Sequence, residues 1–304
     1  MYFPQAGVEV QLWLPPLAAF VISFFTSMGG ISGAFLLVPF QMSVLHVSGP
    51  TVSATNQFYN IVAIPGGVYR YAREGRLLWP LAITIAAGAV PGALIGAIIR
   101  VTLLPDKKHF MLFAALVLAC IGLQVIWDIL QKWKERETSG HSEKQSLSGP
   151  NALPSTVTVL RRGLRVSYTF QGRHFDLPVA KILALSAVVG VVGGIYGIGG
   201  GSIIAPVLTS CLGLPVHTVA GAVLLGSLAT SMAGVSFYML LQPFFPHLAV
   251  APDWALGFLF GIGGILGMYL GARCQKYVPA LAIKSLLAVV LLYTAGKYLA
   301  DFFV

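Results

Sequence analysis
Along most of this chain apolar residues run on for stretches of the length a membrane helix needs, about 20 residues, before a short polar interval cuts them. The pattern predicts helical spans near Trp13–Phe40, Val52–Tyr69, Leu78–Ile99 and Phe110–Leu130. After a polar interval it predicts Val179–Thr209, Val219–Leu241, Trp254–Ala272 and Leu281–Phe303. These are two groups of four. The first span of each group is too long for one straight helix, and each contains a glycine-rich interruption. The polar interval, Gln131–Pro178, is different in kind. It opens with Lys132, Lys134, Glu135, Arg136 and Glu137, then runs through Ser, Gly and Pro to Pro154, the composition of a flexible linker. Beyond it, Val157–Leu160 and Leu164–Phe170 read as strands, with a turn at Gln171-Gly172 before Arg173–Phe175. That predicts a small β-hairpin outside the bilayer.

The two groups resemble each other. Aligning Pro39 with Pro206 also pairs Gly30 with Gly197, Ile31 with Ile198 and Gly33 with Gly200. A slightly longer offset pairs Trp79 with Trp254, Gly88 with Gly263, Gly92 with Gly267 and Gly96 with Gly271. An insertion around Pro243–Pro252 accounts for the change. The expected fold class is therefore all-α: a polytopic transmembrane helix bundle of two four-span repeats with broken first helices, plus the small central β-hairpin. The expected domains are 1–130 and 179–304 for the repeats and 131–178 for the extramembrane connector.

Composition narrows the class further. Hydrophobic residues make up 57% of 304 positions and only 10% are charged, against roughly a quarter charged in soluble proteins. Such a chain cannot cover a water-facing surface, so the lipid bilayer is its expected environment. Met1–Gln11 lacks the basic start and cleavage site of a signal peptide. The net charge of +9 reads as loop charge that sets orientation, not as a nucleic-acid footprint. If all eight spans cross, the side of the termini holds Arg70, Arg73, Arg76, the basic residues from Lys132 to Arg173, Lys181 and Lys297. The other side holds Arg100, Lys107, Lys108, Arg273, Lys276 and Lys284, which favours cytoplasmic termini and central loop.

The sharpest local feature is Gly193-Gly194-Ile195-Tyr196-Gly197-Ile198-Gly199-Gly200-Gly201-Ser202 before Pro206. Its weaker counterpart is Ser27-Met28-Gly29-Gly30-Ile31-Ser32-Gly33 before Pro39. Glycine costs a helix about 1 kcal/mol per position, so these runs break it. A helix broken within a bilayer needs protein or a watery cavity around its freed backbone groups, and the restarting half points N–H groups at whatever fills that space. Paired breaks of this kind are a pointer to a transporter's binding site. The expected anion site is therefore Ser32, Gly33, Gly197, Gly199, Gly200, Gly201 and Ser202. By contrast, Gly88, Gly92, Gly96 and Gly263, Gly267, Gly271 recur every four residues, which suits close helix packing.

Asn56 and Asn60 share a face of the second span, with Gln57 beside them; the matching region offers Ser227, Thr230 and Ser231. Asn56, Asn60 and Ser227 either complete the polar wall of the cavity or simply bond helix to helix, and the sequence leaves both open. The spans contain no Glu and, of acids, only Asp128 near one end, which speaks against a cation pump or acid-driven antiporter. There is no Walker motif and no metal-ligand spacing among His46, His109, His141, His174, His217, His247 or the scattered Cys120, Cys211 and Cys274. No cofactor, metal or catalytic residue is expected.

Gly194-Ile195-Tyr196-Gly197-Ile198-Gly199-Gly200-Gly201, with Pro206 and Leu212-Gly213-Leu214-Pro215, resembles the second-half signature of the sulfite exporter TauE/SafE family. The first half is looser: Gly29-Gly30 and Gly33 before Pro39, then Tyr69-Arg70-Tyr71, Arg73 and Gly75 ahead of Trp79, with Ser32 where the family more often has glycine. The resemblance implies an inner-membrane permease for sulfite, sulfonates, sulfoacetate or related organosulfur anions, driven by an ion gradient. The expected partners are a small inorganic or organosulfur anion and the lipid bilayer, with homo-oligomers left open. A passive anion channel and a non-transporting assembly subunit are the alternatives.

Overall fold
The computed structural model describes residues 1–29, 32–73, 77–138, 158–162, 165–170, 173–200, 203–205, 208, 216–274, 277–278 and 280–303. Among them a two-stranded antiparallel hairpin, β1 (Tyr2–Phe3) and β2 (Val8–Glu9), precedes the helices. Then follow α1 (Leu14–Gly29), α2 (Ala34–Ser43), α3 (Thr51–Ala63), α4 (Pro65–Arg73), α5 (Trp79–Thr102) and α6 (Lys107–Thr138). Strands β3 (Thr158–Arg162), β4 (Arg165–Phe170) and β5 (Arg173–Pro178) form one antiparallel sheet in that order. The chain then continues as α7 (Val179–Tyr196), α8 (Val216–Leu241), α9 (Trp254–Cys274) and α10 (Ala280–Phe303).

Six of these helices are long and apolar enough to cross a membrane, lying within α5 to α10, while Leu14–Met28 and Ala34–Ser43 are shorter apolar helices. The division of the first predicted span was expected, and that of the second was not. The predicted span Trp13–Phe40 is divided at the glycine break into α1 and α2, and Val52–Tyr69 becomes α3 and α4, which meets it at Pro65. Proline lacks the N–H an interior helical position would donate, so it serves better as a new start. The two-stranded hairpin of the structure is N-terminal. The central segment, expected to hold a hairpin, carries the three-stranded sheet, and its expected turn at Gln171-Gly172 lies outside the described residues. Charge does not end α6 at Leu130 either; the helix runs on to Thr138.

Helix starts follow local chemistry. Asp253 Oδ1 accepts the N–H of Leu256 at 3.1 Å, capping α9, while Oδ2 accepts from the N–H groups of Gln5 and Ala6 at 3.2 and 3.3 Å. One carboxylate thus ends the α8–α9 loop and ties down the N-terminal hairpin, whose Phe3 is fully buried.

Packing is set by the two glycine rows. A Cβ at Gly88, Gly92 or Gly96 of α5 would overlap the carbonyl oxygens of Leu183, Ala187 and Val191 on α7. At Gly263, Gly267 or Gly271 of α9 it would overlap those of Pro16, Phe20 and Phe24 on α1. Only glycine lets backbones approach so closely. The pairs α5 with α7 and α1 with α9 are accordingly the most extensive among the described elements, with α6 against α10 next. Another reciprocal contact lies nearer the centre. A Cβ at Gly67 would meet Leu224, and one at Gly234 would overlap the amide of Gln57. Residues 57 and 224, like 67 and 234, stand at the spacing that separates Pro39 from Pro206. Helices α3 and α8 face one another at this centre, and most of α3 from Thr51 to Ala63 is buried although many of its side chains are polar.

Candidate functional site
The second break is a sharp stop. At the end of α7, Gly197 turns into the left-handed region (φ 90°) and Gly199 follows (φ 74°), a conformation in which side chains with a Cβ are strained. The N–H groups of Gly197 and Ile198 both fold back to the carbonyl of Gly193, at 2.8 and 3.1 Å, the backbone closure expected of a glycine C-cap.

The carbonyls this leaves over are received by side chains from two other helices. Tyr238 of α8 donates its hydroxyl to Gly194 O at 3.1 Å. Ser53 of α3 donates to Ile195 O at 2.8 Å, and Asn56 Nδ2 donates to Gly197 O at 3.0 Å. Behind Ser53 lies Arg100, fully buried. Its Nε donates to Ser53 Oγ at 3.2 Å and its terminal nitrogens to Leu104 O and, at 2.6 Å, to Gly49 O. The guanidinium also sits 3.9 Å above the centre of the Phe110 ring. Arg100 was expected among the loop charges; the structure corrects this, because main-chain carbonyls and an aromatic face solvate its charge inside the protein.

The first break is joined to the second through the same asparagine. Asn56 Nδ2 also donates to Ala34 O at 3.1 Å, immediately after Gly33. Tyr196 at the end of α7 reaches across to donate to Phe35 O at 2.9 Å. Gly33 packs on the hydroxyls of Ser23 and Tyr59, themselves 2.9 Å apart; a Cβ there would lie 2.7 and 3.0 Å from them.

The predicted site residues separate as follows. Asn56 and Gly197 are in direct contact. Gly199 sits against the Ser227 carbonyl and the Thr230 and Ser231 hydroxyls, and Gly200 donates its N–H to Thr230 Oγ1 at 3.1 Å. Asn60 Nδ2 donates to Ser231 Oγ at 3.4 Å. Ser32 stays local, its Oγ accepting the N–H of Ala34 at 3.3 Å, with Gly33 next to it. Gly201 and Ser202 lie outside the described residues. The supporting groups Ser53, Tyr238 and Arg100 were not anticipated. Ser53 could have been, since Ser53, Asn56 and Asn60 recur at three and four residues on one face of α3.

The result is a buried polar seam in an otherwise apolar bundle. Asn56, Gln57 and Asn60 on one side and Ser227, Thr230 and Ser231 on the other are all at most 1% exposed. The Oδ1 atoms of Asn56 and Asn60 and both amide atoms of Gln57 have no hydrogen-bond partner among the described residues. Unpaired buried groups of this kind cost about 1–3 kcal/mol each; Gln41 and Ser186 carry others. No cluster of His, Cys, Asp and Glu able to hold a metal occurs among the described residues.

A family model described as "Sulfite exporter TauE/SafE" matches residues 16–298. Among curated proteins, the chain is 24% identical over 259 residues to a "Probable membrane transporter protein" of Xylella fastidiosa (strain 9a5c), covering 83% of this chain and 80% of that one. It is 24% identical over 289 residues to "Probable membrane transporter protein ORF9" of a Sinorhizobium species, covering 94% and 91%. A shorter match, 30% over 128 residues, is to "Probable membrane transporter protein YunE" of Bacillus subtilis (strain 168), covering 42% and 44%. No solved structure matches the chain.

Proposed function
The chain belongs to the sulfite exporter TauE/SafE family, and from that premise we propose that it carries a small sulfur-containing oxyanion, such as sulfite, a sulfonate or sulfoacetate, between its two helix breaks. The family is one of membrane transporters, not enzymes. The single observation that carries the site is the bridge made by Asn56, whose amide holds Ala34 O at one break and Gly197 O at the other. Two interruptions far apart in sequence thereby meet at one buried polar seam, the arrangement secondary transporters use for substrate.

At each break a side-chain hydroxyl occupies a main-chain donor: Ser32 Oγ at Ala34 N–H and Thr230 Oγ1 at Gly200 N–H. A hydroxyl is a weaker acceptor than a charged oxyanion. In this reading the anion's oxygens displace those hydroxyls and receive the two N–H groups, and Thr230 turns its O–H from the Gly226 carbonyl to donate to the anion. Gly33, Gly199 and Gly200 keep the approach open, Asn56, Asn60 and Ser227 wall it, and Gly201 and Ser202 would extend it.

The same reading takes the chain as a duplicated unit, 1–130 and 179–304, joined by 131–178. The matching glycine rows support it, as does the reciprocal pairing of Gly67 with Leu224 and Gly234 with Gln57. Burial of Arg100 removes one positive charge from the side opposite the termini, which strengthens the bias toward cytoplasmic termini and central loop in a cell inner membrane.

The experiment is uptake of radiolabelled sulfite into proteoliposomes holding the purified chain. Saturable uptake above that of empty liposomes is expected. Thr230→Val, which keeps shape and removes the hydroxyl, should lower uptake about tenfold, as for a hydrogen bond of about 1.4 kcal/mol to a charged ligand. Uptake no greater than in empty liposomes for sulfite, a sulfonate and sulfoacetate alike would refute the proposal.

A further inference from the structure
We infer that the side-chain oxygens of Asn56 and Asn60 receive a monovalent metal cation, with sodium the ion to test, beside the Gly197–Gly199 turn, so that anion movement is coupled to sodium. The inference rests on reading this seam as a transport site, and it assigns the seam's acceptors an occupant different from the anion.

The orientation of Asn56 is fixed by its surroundings. Its amide faces two main-chain carbonyls, Ala34 O and Gly197 O, which can only accept, so the group between them is the NH2 and the outward atom is Oδ1. Asn60 lies one helical turn on, about 6 Å along the axis, with its nitrogen on Ser231 Oγ. Ser231 Oγ in turn lies against Gly199, so the two asparagines flank one short turn. Asn56 and Asn60 are 0% and 1% exposed, and neither Oδ1 has a partner among the described residues.

A bare acceptor at such a depth is satisfied by a donor or by a cation. A deprotonated oxyanion offers neither, and Gln57 Nε2, the donor of the described seam that is itself unpaired, makes no hydrogen bond to either oxygen. Three features favour a metal cation. Hard monovalent and divalent cations take neutral oxygen ligands. The C-terminal end of α7, with the negative end of its helix dipole, stops at this turn, and half-helix C-termini with unwound carbonyls are where transporters coordinate sodium. Finally, the seam's own side chains, Asn, Gln, Ser and Thr, do not titrate, so a carried proton has no carboxylate or imidazole to rest on among them. Arg100 is kept from competing because its nitrogens are spent on Ser53, Leu104 and Gly49.

The test measures heat unfolding of the purified chain in sodium, potassium and choline chloride at equal ionic strength. Sodium should stabilise it saturably, since a ligand that binds only the folded state raises its melting temperature. Asn60→Leu should raise the half-saturating sodium concentration about tenfold, the loss of one good ligand interaction. If that variant does not fold, Asn60→Asp should instead lower it, by adding charge at the same place. Equal melting in all three salts, or an unchanged sodium response in the variant that folds, would overturn the inference. Sulfite uptake by wild-type proteoliposomes separates the two readings. Equal uptake with choline replacing sodium defeats the coupling alone, as does uptake that rises with acidity and ignores sodium. No uptake in either salt, with sodium stabilisation intact, defeats the transport reading and leaves the cation site standing.

Discussion
Asn56 Nδ2 stands 3.0 Å from the carbonyl oxygen of Gly197, at the point where α7 stops and the chain turns left-handed. The same nitrogen stands 3.1 Å from Ala34 O, where α2 begins. One amide therefore fastens both helix breaks, and its chemistry is asymmetric because both neighbours are acceptors.

That asymmetry predicts an order among substitutions. Asn56→Leu takes the side-chain donor away from both carbonyls and should cost about 1–3 kcal/mol of stability. Asn56→Asp keeps the shape but places a carboxylate against two carbonyls, and should be at least as damaging. Thermal unfolding in detergent checks the order; a well-folded Asp variant would mean that the amide does not donate here.

Arg100 offers a second case. Its Nε and its two terminal nitrogens go to three separate acceptors, so Lys, with one point of attachment, cannot replace it. Arg100→Lys should lose roughly 2–3 kcal/mol although charge is retained, and its melting temperature should lie closer to that of Arg100→Met than to wild type.

The glycine rows predict steric intolerance at chosen positions. Gly92→Ala places a methyl group on the Ala187 carbonyl and should push α5 off α7. The expected loss is about 1–3 kcal/mol, the cost of overpacking. Gly296→Ala is the control, because nothing lies within 4 Å of an added Cβ. It should be neutral or stabilise by a few tenths of a kcal/mol through helix propensity. Size-exclusion chromatography after graded heating distinguishes the two.

Asp253 joins two local structures, and its removal should release both. In Asp253→Ala the N–H groups of Gln5, Ala6 and Leu256 lose their acceptor. Limited proteolysis should then cut the first ten or so residues faster, and the cap loss should cost about 1 kcal/mol. An unchanged cleavage rate would show that Phe3 and its apolar neighbours hold the hairpin alone.

Much of the membrane architecture was legible in the chain. Runs such as Leu81–Ile99 have one physical solution in lipid, a helix that pairs its own backbone groups. Clustered glycines at 197–200 announced a stop, and spaced glycines at 88, 92 and 96 announced a seam. Less legible were Val52–Tyr69, where Pro65 restarts the helix, and the joining of the central strands into one three-stranded sheet, which local alternation does not reveal. Of the candidate site, Asn56, Asn60 and the Gly197–Gly200 turn were visible as polar or glycine residues out of keeping with their surroundings. Ser53, Tyr238 and Arg100 were not, because each looks ordinary until its partner, a carbonyl from another helix, is beside it.

The sequence by itself determined that this is a many-helix membrane chain broken at two glycine runs, since hydropathy and helix propensity act on neighbours along the chain. Only the tertiary structure decided how the two breaks are joined. Hydrogen-bond satisfaction is a property of residues brought together in space, and it was folding that spent the amide nitrogens of Asn56 and Asn60 and left their oxygens without a partner among the described residues.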